Sequence, residues 1–125
     1  MRALVVDDSR AVRMMLKRML AELGFDECAE AGHGGEALER LTEIAQPDVM
    51  LVDWNMPVMN GLELIRAVRS NAAHRDIPIV MVTTETEIEQ VVRALAAGAS
   101  EYVMKPFTKD VILDKLDLLG IMPRT

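Results

Sequence analysis

The chain has 125 residues, of which 50% are hydrophobic and 27% are charged, so we expect one globular domain spanning residues 1–125. A net charge of −6 argues against nucleic acid as a direct partner, and a single cysteine excludes an intrachain disulfide framework and a cysteine-based zinc cluster. No apolar run approaches the roughly 18 residues of a membrane helix, and the N-terminal segment is too short for a signal peptide, so we expect a cytoplasmic protein.

Short continuous apolar runs predict the strands of a parallel sheet that is covered on both faces. The four clear runs are Ala3–Val6, Val49–Val52, Ile79–Val82 and Tyr102–Met104. A weaker run at Cys28–Ala31 predicts a short edge strand.

Amphipathic stretches with helical spacing fill the gaps between these runs. The first is expected to begin after an N-cap at Ser9 and to stop at Gly24. The others are Gly35–Ile44, Leu62–Ser70, Thr86–Ala97 and Thr108–Leu119. Five strand–helix units in succession predict a doubly wound α/β domain.

Polar residues follow four of the predicted strands. Asp7 and Asp8 follow the first, Asp53 the third, Thr83 the fourth and Lys105 the fifth. The carboxyl ends of parallel strands meet at one edge of the sheet, where ligands of such folds bind. These side chains are therefore expected to form a single site.

The chemistry of this predicted site favours phosphoryl transfer. Three clustered carboxylates repel one another and require a cation, and oxygen ligands favour Mg²⁺. A lysine supplies a positive charge for a phosphoryl oxygen, and a threonine supplies a hydroxyl donor. A carboxylate can also act as a nucleophile and form an aspartyl phosphate.

The motifs "VDD", "VDWNMPVMNG", "VTT" and "KPF" occur in this order, and with them the whole chain resembles the receiver domains of bacterial two-component response regulators. The stretch "DWNMP" is similar to that of the chemotaxis regulators of this family. The resemblance implies a five-stranded parallel sheet in the flavodoxin-like order 2-1-3-4-5, with helices on both faces.

The resemblance also assigns roles around Mg²⁺. It implies that Asp53 is the phosphoacceptor and that Asp8 binds Mg²⁺ directly. It further implies that Asp7 acts mostly through water, and that Asn55 contributes its backbone carbonyl. Lys105 would contact the phosphoryl group, and the protein would assist its own phosphorylation without being an enzyme.

Further roles follow from the same resemblance. Thr83 would move toward the phosphoryl group, and Tyr102 would swing inward in response. Asn55 and Glu85 would tune hydrolysis of the phosphoryl group. The bond between Lys105 and Pro106 would be cis. Thr84 departs from the small residue that is common at its position, which puts the reaction rates in question.

The expected phosphodonors are a histidine kinase or small acyl phosphates, and a phosphatase is a further expected partner. Since no output domain follows the last predicted helix, we expect a monomeric stand-alone receiver. Its output would be a flagellar motor switch protein or, in a phosphorelay, a histidine phosphotransfer protein.

Other classes fit the residues less well. An aspartate-nucleophile phosphatase of the haloacid dehalogenase type expects Asp-x-Asp after its first strand, whereas this chain has adjacent Asp7 and Asp8. A flavodoxin-like electron carrier expects a Ser/Thr-rich phosphate loop and aromatic residues around a flavin. A non-phosphorylated interaction module usually lacks the acids or the lysine.

The last predicted helix suggests a docking face. Ile112, Leu116 and Leu119 have the spacing of a core stripe. Val111 and Leu118 fall on a different face, where we expect them to form a small apolar patch next to the strand of Tyr102.

Overall fold

The computed structural model describes residues 1–84 and 88–121. Within them five strands alternate with five helices, as follows. The strands are β1 (Arg2–Val6), β2 (Glu27–Ala31), β3 (Val49–Asp53), β4 (Ile79–Thr83) and β5 (Glu101–Met104). The helices are α1 (Arg10–Glu22), α2 (Gly34–Glu43), α3 (Gly61–Ser70), α4 (Ile88–Ala97) and α5 (Lys109–Leu118). None of the described helices is long and apolar enough to cross a membrane.

All strand pairs are parallel, and the sheet order is β2-β1-β3-β4-β5, which confirms the expected fold class. Every residue of β3 and β4 is buried, as the apolar runs predicted for central strands covered on both faces. The predicted start of the fourth helix at Thr86 lies outside the described residues. The other predicted boundaries agree to within one or two residues, the precision expected of helix and strand ends.

The hydrophobic core has two layers, one on each face of the sheet. Alternate residues of each strand point to opposite faces, so Leu4 and Val6 pack with α2, α3 and α4, while Ala3 and Val5 pack with α1 and α5. Both layers are mainly aliphatic, with Met50, Met81 and Trp54 in the first and Phe25 in the second. The sheet is thereby fixed between helices, with its carboxyl edge left for polar groups.

Local caps set where helices begin. The Ser9 hydroxyl accepts a hydrogen bond from the Val12 amide, as predicted for the N-cap of α1. His33 is half-buried, and its Nδ1 accepts a hydrogen bond from the Glu36 amide and so caps α2. Asn60 and Glu63 form a reciprocal capping box at α3. These caps place the first turns of three helices at the carboxyl edge of the sheet.

Arg69, near the end of α3, joins three segments at the opposite edge. Its guanidinium donates to the carbonyls of Gly98, Ile77 and Arg75 and to the Ser100 hydroxyl, at 2.6–3.4 Å. Burial lowers the pKa of this guanidinium, although the charge of Asp76 opposes that effect. The C-terminal end of α4 is thus tied to α3 and to the loop before β4.

Val58, in the loop between β3 and α3, has a backbone φ of 69° and is 87% exposed. A β-branched residue in the left-handed region is strained by roughly 1–3 kcal/mol, whereas asparagine tolerates this conformation. We expect Val58→Asn to raise the free energy of unfolding by about 1 kcal/mol in chemical denaturation. The matched control is Val92→Asn on α4, another exposed valine with ordinary helical backbone. Equal effects of the two substitutions would contradict the strain at Val58.

Candidate functional site

Three carboxylates meet at the carboxyl edge of the sheet. Asp7 and Asp8 follow β1, and Asp53 is the last residue of β3, the strand that pairs with β1. One oxygen of each carboxylate lies within 4.8 Å of the others. Asp7 and Asp53 are only 1% and 5% exposed, whereas Asp8 is open to solvent. The sequence-predicted cluster is therefore assembled, with two acids deep and one at the surface.

Lys105, which follows β5, places its ammonium group between the two buried acids. Its Nζ lies 3.0 Å from Asp7 Oδ2 and 3.3 Å from Asp53 Oδ1. Burial lowers the pKa of Lys105, but the hydrogen bond to Asp7 and the charges of both acids outweigh it and raise the pKa above its ordinary value. Lys105 is therefore cationic at neutral pH, and its peptide bond to Pro106 is cis.

Asp53 is held in an environment that disfavours its charge. Burial is the largest cause, the nearby Asp7 carboxylate adds to it, and Lys105 opposes it, so that the pKa of Asp53 is raised to about 6. A cation brought beside the three acids would relieve this repulsion. The cluster contains carboxylate oxygens and no His or Cys ligand, and therefore fits a hard ion such as Mg²⁺.

The backbone around Asp53 is closely packed. The Trp54 amide donates to Val82 O, and Trp54 O accepts from the Gly61 amide, both at 3.0 Å. A Cβ on Gly61 would lie 2.5 Å from the carbonyl oxygen of Asp53, so only glycine allows the start of α3 to approach so closely. Trp54 itself is buried, and Asn55, two residues past Asp53, is exposed.

The remaining predicted residues lie around this cluster. Thr83 is buried at the end of β4, and its carbonyl accepts from the Lys105 amide at 2.7 Å. Thr84 is exposed. Tyr102 on β5 is half-buried, and Lys115 Nζ lies 4.7 Å from the centre of its ring. Glu85 lies outside the described residues.

Sequence reasoning missed one contact to the acidic cluster. Arg13 of α1 donates a hydrogen bond from Nη1 to the backbone carbonyl of Asp7 at 2.6 Å. Arg13 lies one helical turn after the N-cap of α1, and this places it near the loop between β1 and α1. No sequence motif, however, shows which backbone group a long side chain will reach.

Comparison with known proteins gives concordant results. A family model described as the response regulator receiver domain matches residues 3–117. The chain is 46% identical over 119 residues to chemotaxis protein CheY1 of Helicobacter pylori, covering 95% of this chain and 96% of that protein. It is 49% identical over 121 residues to a CheY homologue of Campylobacter jejuni, covering 96% and 93% of the two chains. Among solved structures, chemotaxis protein CheY4 of Vibrio cholerae superposes with a TM-score of 0.86 at 38% identity, covering 94% and 96%.

The raised pKa of Asp53 makes stability depend on pH. The folded protein holds this proton more tightly than the unfolded chain does, so the free energy of unfolding falls as pH rises from 3.8 through about 6. In a chelating buffer at about pH 7.5, Asp53→Asn should therefore raise the free energy of unfolding by about 1–3 kcal/mol. The gain should vanish below about pH 4, where the carboxyl is protonated in both states. Denaturant titrations at several pH values measure this.

The matched control is Asp114→Asn on α5, which removes an exposed carboxylate outside the cluster. A stability gain from Asp53→Asn that was the same at both ends of the pH range would show that the gain does not come from the charge of Asp53.

Proposed function

The chain belongs to the response regulator receiver domain family and is of the CheY chemotaxis type, and from that premise we propose that Asp53 receives a phosphoryl group from a histidine kinase. The observation that carries the proposal is the position of Lys105. Its ammonium group forms ion pairs with both buried acids, and the cluster of Asp7, Asp8 and Asp53 fits Mg²⁺. No other polar cluster of the described residues combines a nearly buried carboxylate with a cation beside it.

In the proposed reaction one carboxylate oxygen of Asp53 attacks the phosphorus of a phosphohistidine. A new O–P bond forms, the N–P bond breaks, and the imidazole leaves with its electron pair. A small acyl phosphate reacts in the same way, with an O–P bond breaking and a carboxylate leaving. With its pKa near 6, Asp53 is mostly ionised at neutral pH and can act as the nucleophile.

The neighbouring residues divide the remaining tasks. Lys105 stabilises the charge of the phosphoryl oxygens, and the Thr83 hydroxyl donates to one of them. Asp7, Asp8, Asp53 and the carbonyl of Asn55 would hold Mg²⁺, which when bound neutralises the charge that accumulates on the transferred group.

The phosphoryl group is then removed by water, and we propose that the side chains of Asn55 and Glu85 tune this step. Asn55 is exposed next to the site, which leaves its side chain accessible to water.

We also propose how the phosphorylated state is read. Thr83 moves toward the phosphoryl group, Tyr102 follows into the space it leaves, and the face formed by α4, β5 and α5 changes its affinity for a partner. Val111 and Leu118 of α5 are 38% and 71% exposed, as expected for a docking patch. The names of the relatives support a chemotaxis output, and a flagellar motor switch protein is the partner we propose.

Phosphorylation tests the first proposal directly. Incubated with acetyl phosphate and Mg²⁺, the protein should gain one phosphoryl group by intact-mass analysis, and Asp53→Asn should abolish the gain. Asp8→Ala should abolish the phosphorylation that depends on Mg²⁺, because it removes a proposed Mg²⁺ ligand. Asp114→Ala, an exposed acid outside the cluster, should behave as wild type. Phosphorylation that persisted in Asp53→Asn would place the acceptor elsewhere.

Binding to the flagellar motor switch protein tests the second proposal. With a beryllofluoride mimic at Asp53, Val111→Asp and Leu118→Asp should weaken binding without altering phosphorylation, because each adds a charge to the apolar patch. Tyr102→Ala should instead reduce the difference in partner affinity between the protein with and without the beryllofluoride mimic. Couplings of this kind are typically about 1–3 kcal/mol. The control is Met14→Asp, on the exposed face of α1. If only this control weakened binding, the docking face would lie on α1.

A further inference from the structure

Asp7 uses all of its polar groups in hydrogen bonds. Its amide donates to Ala31 O at 3.1 Å, its Oδ1 accepts from the Ser9 amide at 2.8 Å, and its Oδ2 accepts from Lys105. Its carbonyl accepts from Arg13 Nη1 at 2.6 Å. The peptide group that joins Asp7 to Asp8 is planar, so the bond from Arg13 fixes the orientation of that plane and the position of the Asp8 Cα.

The position of the Asp8 carboxylate depends on this backbone. This carboxylate is exposed, and within residues 1–84 and 88–121 it makes no hydrogen bond or ion pair. The placement of this carboxylate beside Asp7 and Asp53 is therefore set by the main chain of the turn rather than by contacts of its own.

Arg13 is itself held by a second element. Its Nε donates to Glu30 Oε1 on β2 at 2.8 Å, and its side chain is 16% exposed. Lys17, one turn further along α1, contacts the other oxygen of Glu30 at 2.7 Å. Hydrogen bonds from Lys17 and Arg13 hold the pKa of Glu30 below its usual range, so Glu30 is charged at neutral pH. Of the two cations, Arg13 alone also reaches Asp7.

We propose that Arg13, oriented by Glu30, is a positioning residue for the divalent-cation site. Its guanidinium fixes the peptide group between Asp7 and Asp8 and so sets the distance between their carboxylates. This inference rests on the proposed function, because it assumes that the three acids bind Mg²⁺. Groups that orient metal ligands from outside the coordination sphere typically change affinity by roughly 10- to 100-fold.

The test is a Mg²⁺ titration of the full chain in which the fluorescence of Trp54 reports binding. Trp54 is buried and is the residue after Asp53 in the sequence. Arg13→Met keeps an aliphatic stem but removes both hydrogen bonds, and should weaken Mg²⁺ binding by about 10-fold. Lys17→Met is the matched control, since it removes the other cation on Glu30 and leaves the Asp7 carbonyl bonded. Its Mg²⁺ affinity should stay close to that of wild type.

A purely structural role would lower the melting temperature in chelating buffer and leave the Mg²⁺ affinity unchanged, which would overturn the inference. Equal losses of affinity in the two variants would also overturn it, because they would trace the effect to the charge balance of Glu30. If wild-type protein bound no Mg²⁺, the proposed function would fail and this inference with it. Normal binding by both wild type and Arg13→Met would overturn the inference alone.

Glu30→Gln decides the question if Arg13→Met does not fold. It retains the guanidinium but weakens its anchor, so Mg²⁺ affinity should fall by several-fold, with a smaller loss than for complete removal of Arg13. An affinity equal to that of wild type in Glu30→Gln would overturn the role of the Arg13–Glu30 pair.

Discussion

Two buried carboxylates face each other in this protein because one ammonium group lies between them. Without Lys105, the charges of Asp7 and Asp53 would be buried with no described cation in contact with them, and an unpaired buried charge is costly. The same arrangement leaves negative charge in excess, since Asp8 adds a third carboxylate at the surface. Lys105 therefore neutralises enough of the buried negative charge for the protein to fold. Negative charge still remains in excess at the site, and this excess attracts a further cation.

The parallel sheet explains why these residues meet although they are distant in the sequence. Asp7, Asp53, Thr83 and Lys105 each stand at or just past the carboxyl end of a strand, and neighbouring strands bring them to one edge. The two core layers are apolar throughout, so the polar groups of the site lie at the rim and not between the sheet and its helices. The fold supplies the proximity, and local hydrogen bonds of the turns supply the orientation.

The order of the strands and helices and the residues of the acidic cluster could be predicted from the sequence, because the apolar runs of the strands are short, continuous and followed by polar residues. The strands β3 and β4 extend one residue further than their apolar runs because Asp53 and Thr83 remain in register with the neighbouring strand. The cap of α2 was missed because His33 is not a usual capping residue. The bond from Arg13 to the Asp7 carbonyl was missed because it depends on the three-dimensional path of a long side chain, to which hydrophobic periodicity gives no access.

The hydrogen bonds of Arg69 have a mechanical consequence for α4. Two of them hold Gly98 and Ser100 in the turn that follows this helix, and the other two join that turn, through Arg69, to the loop before β4, at the edge of the sheet away from the acidic cluster. A helix of ten residues is about 15 Å long, so its first turn lies that far from the fixed point. A displacement of the chain near Thr83 would then rotate α4 about its C-terminal end. Small displacements at the carboxyl edge of the sheet would be expressed mainly as a change in the angle of the helix, with little translation of its far end.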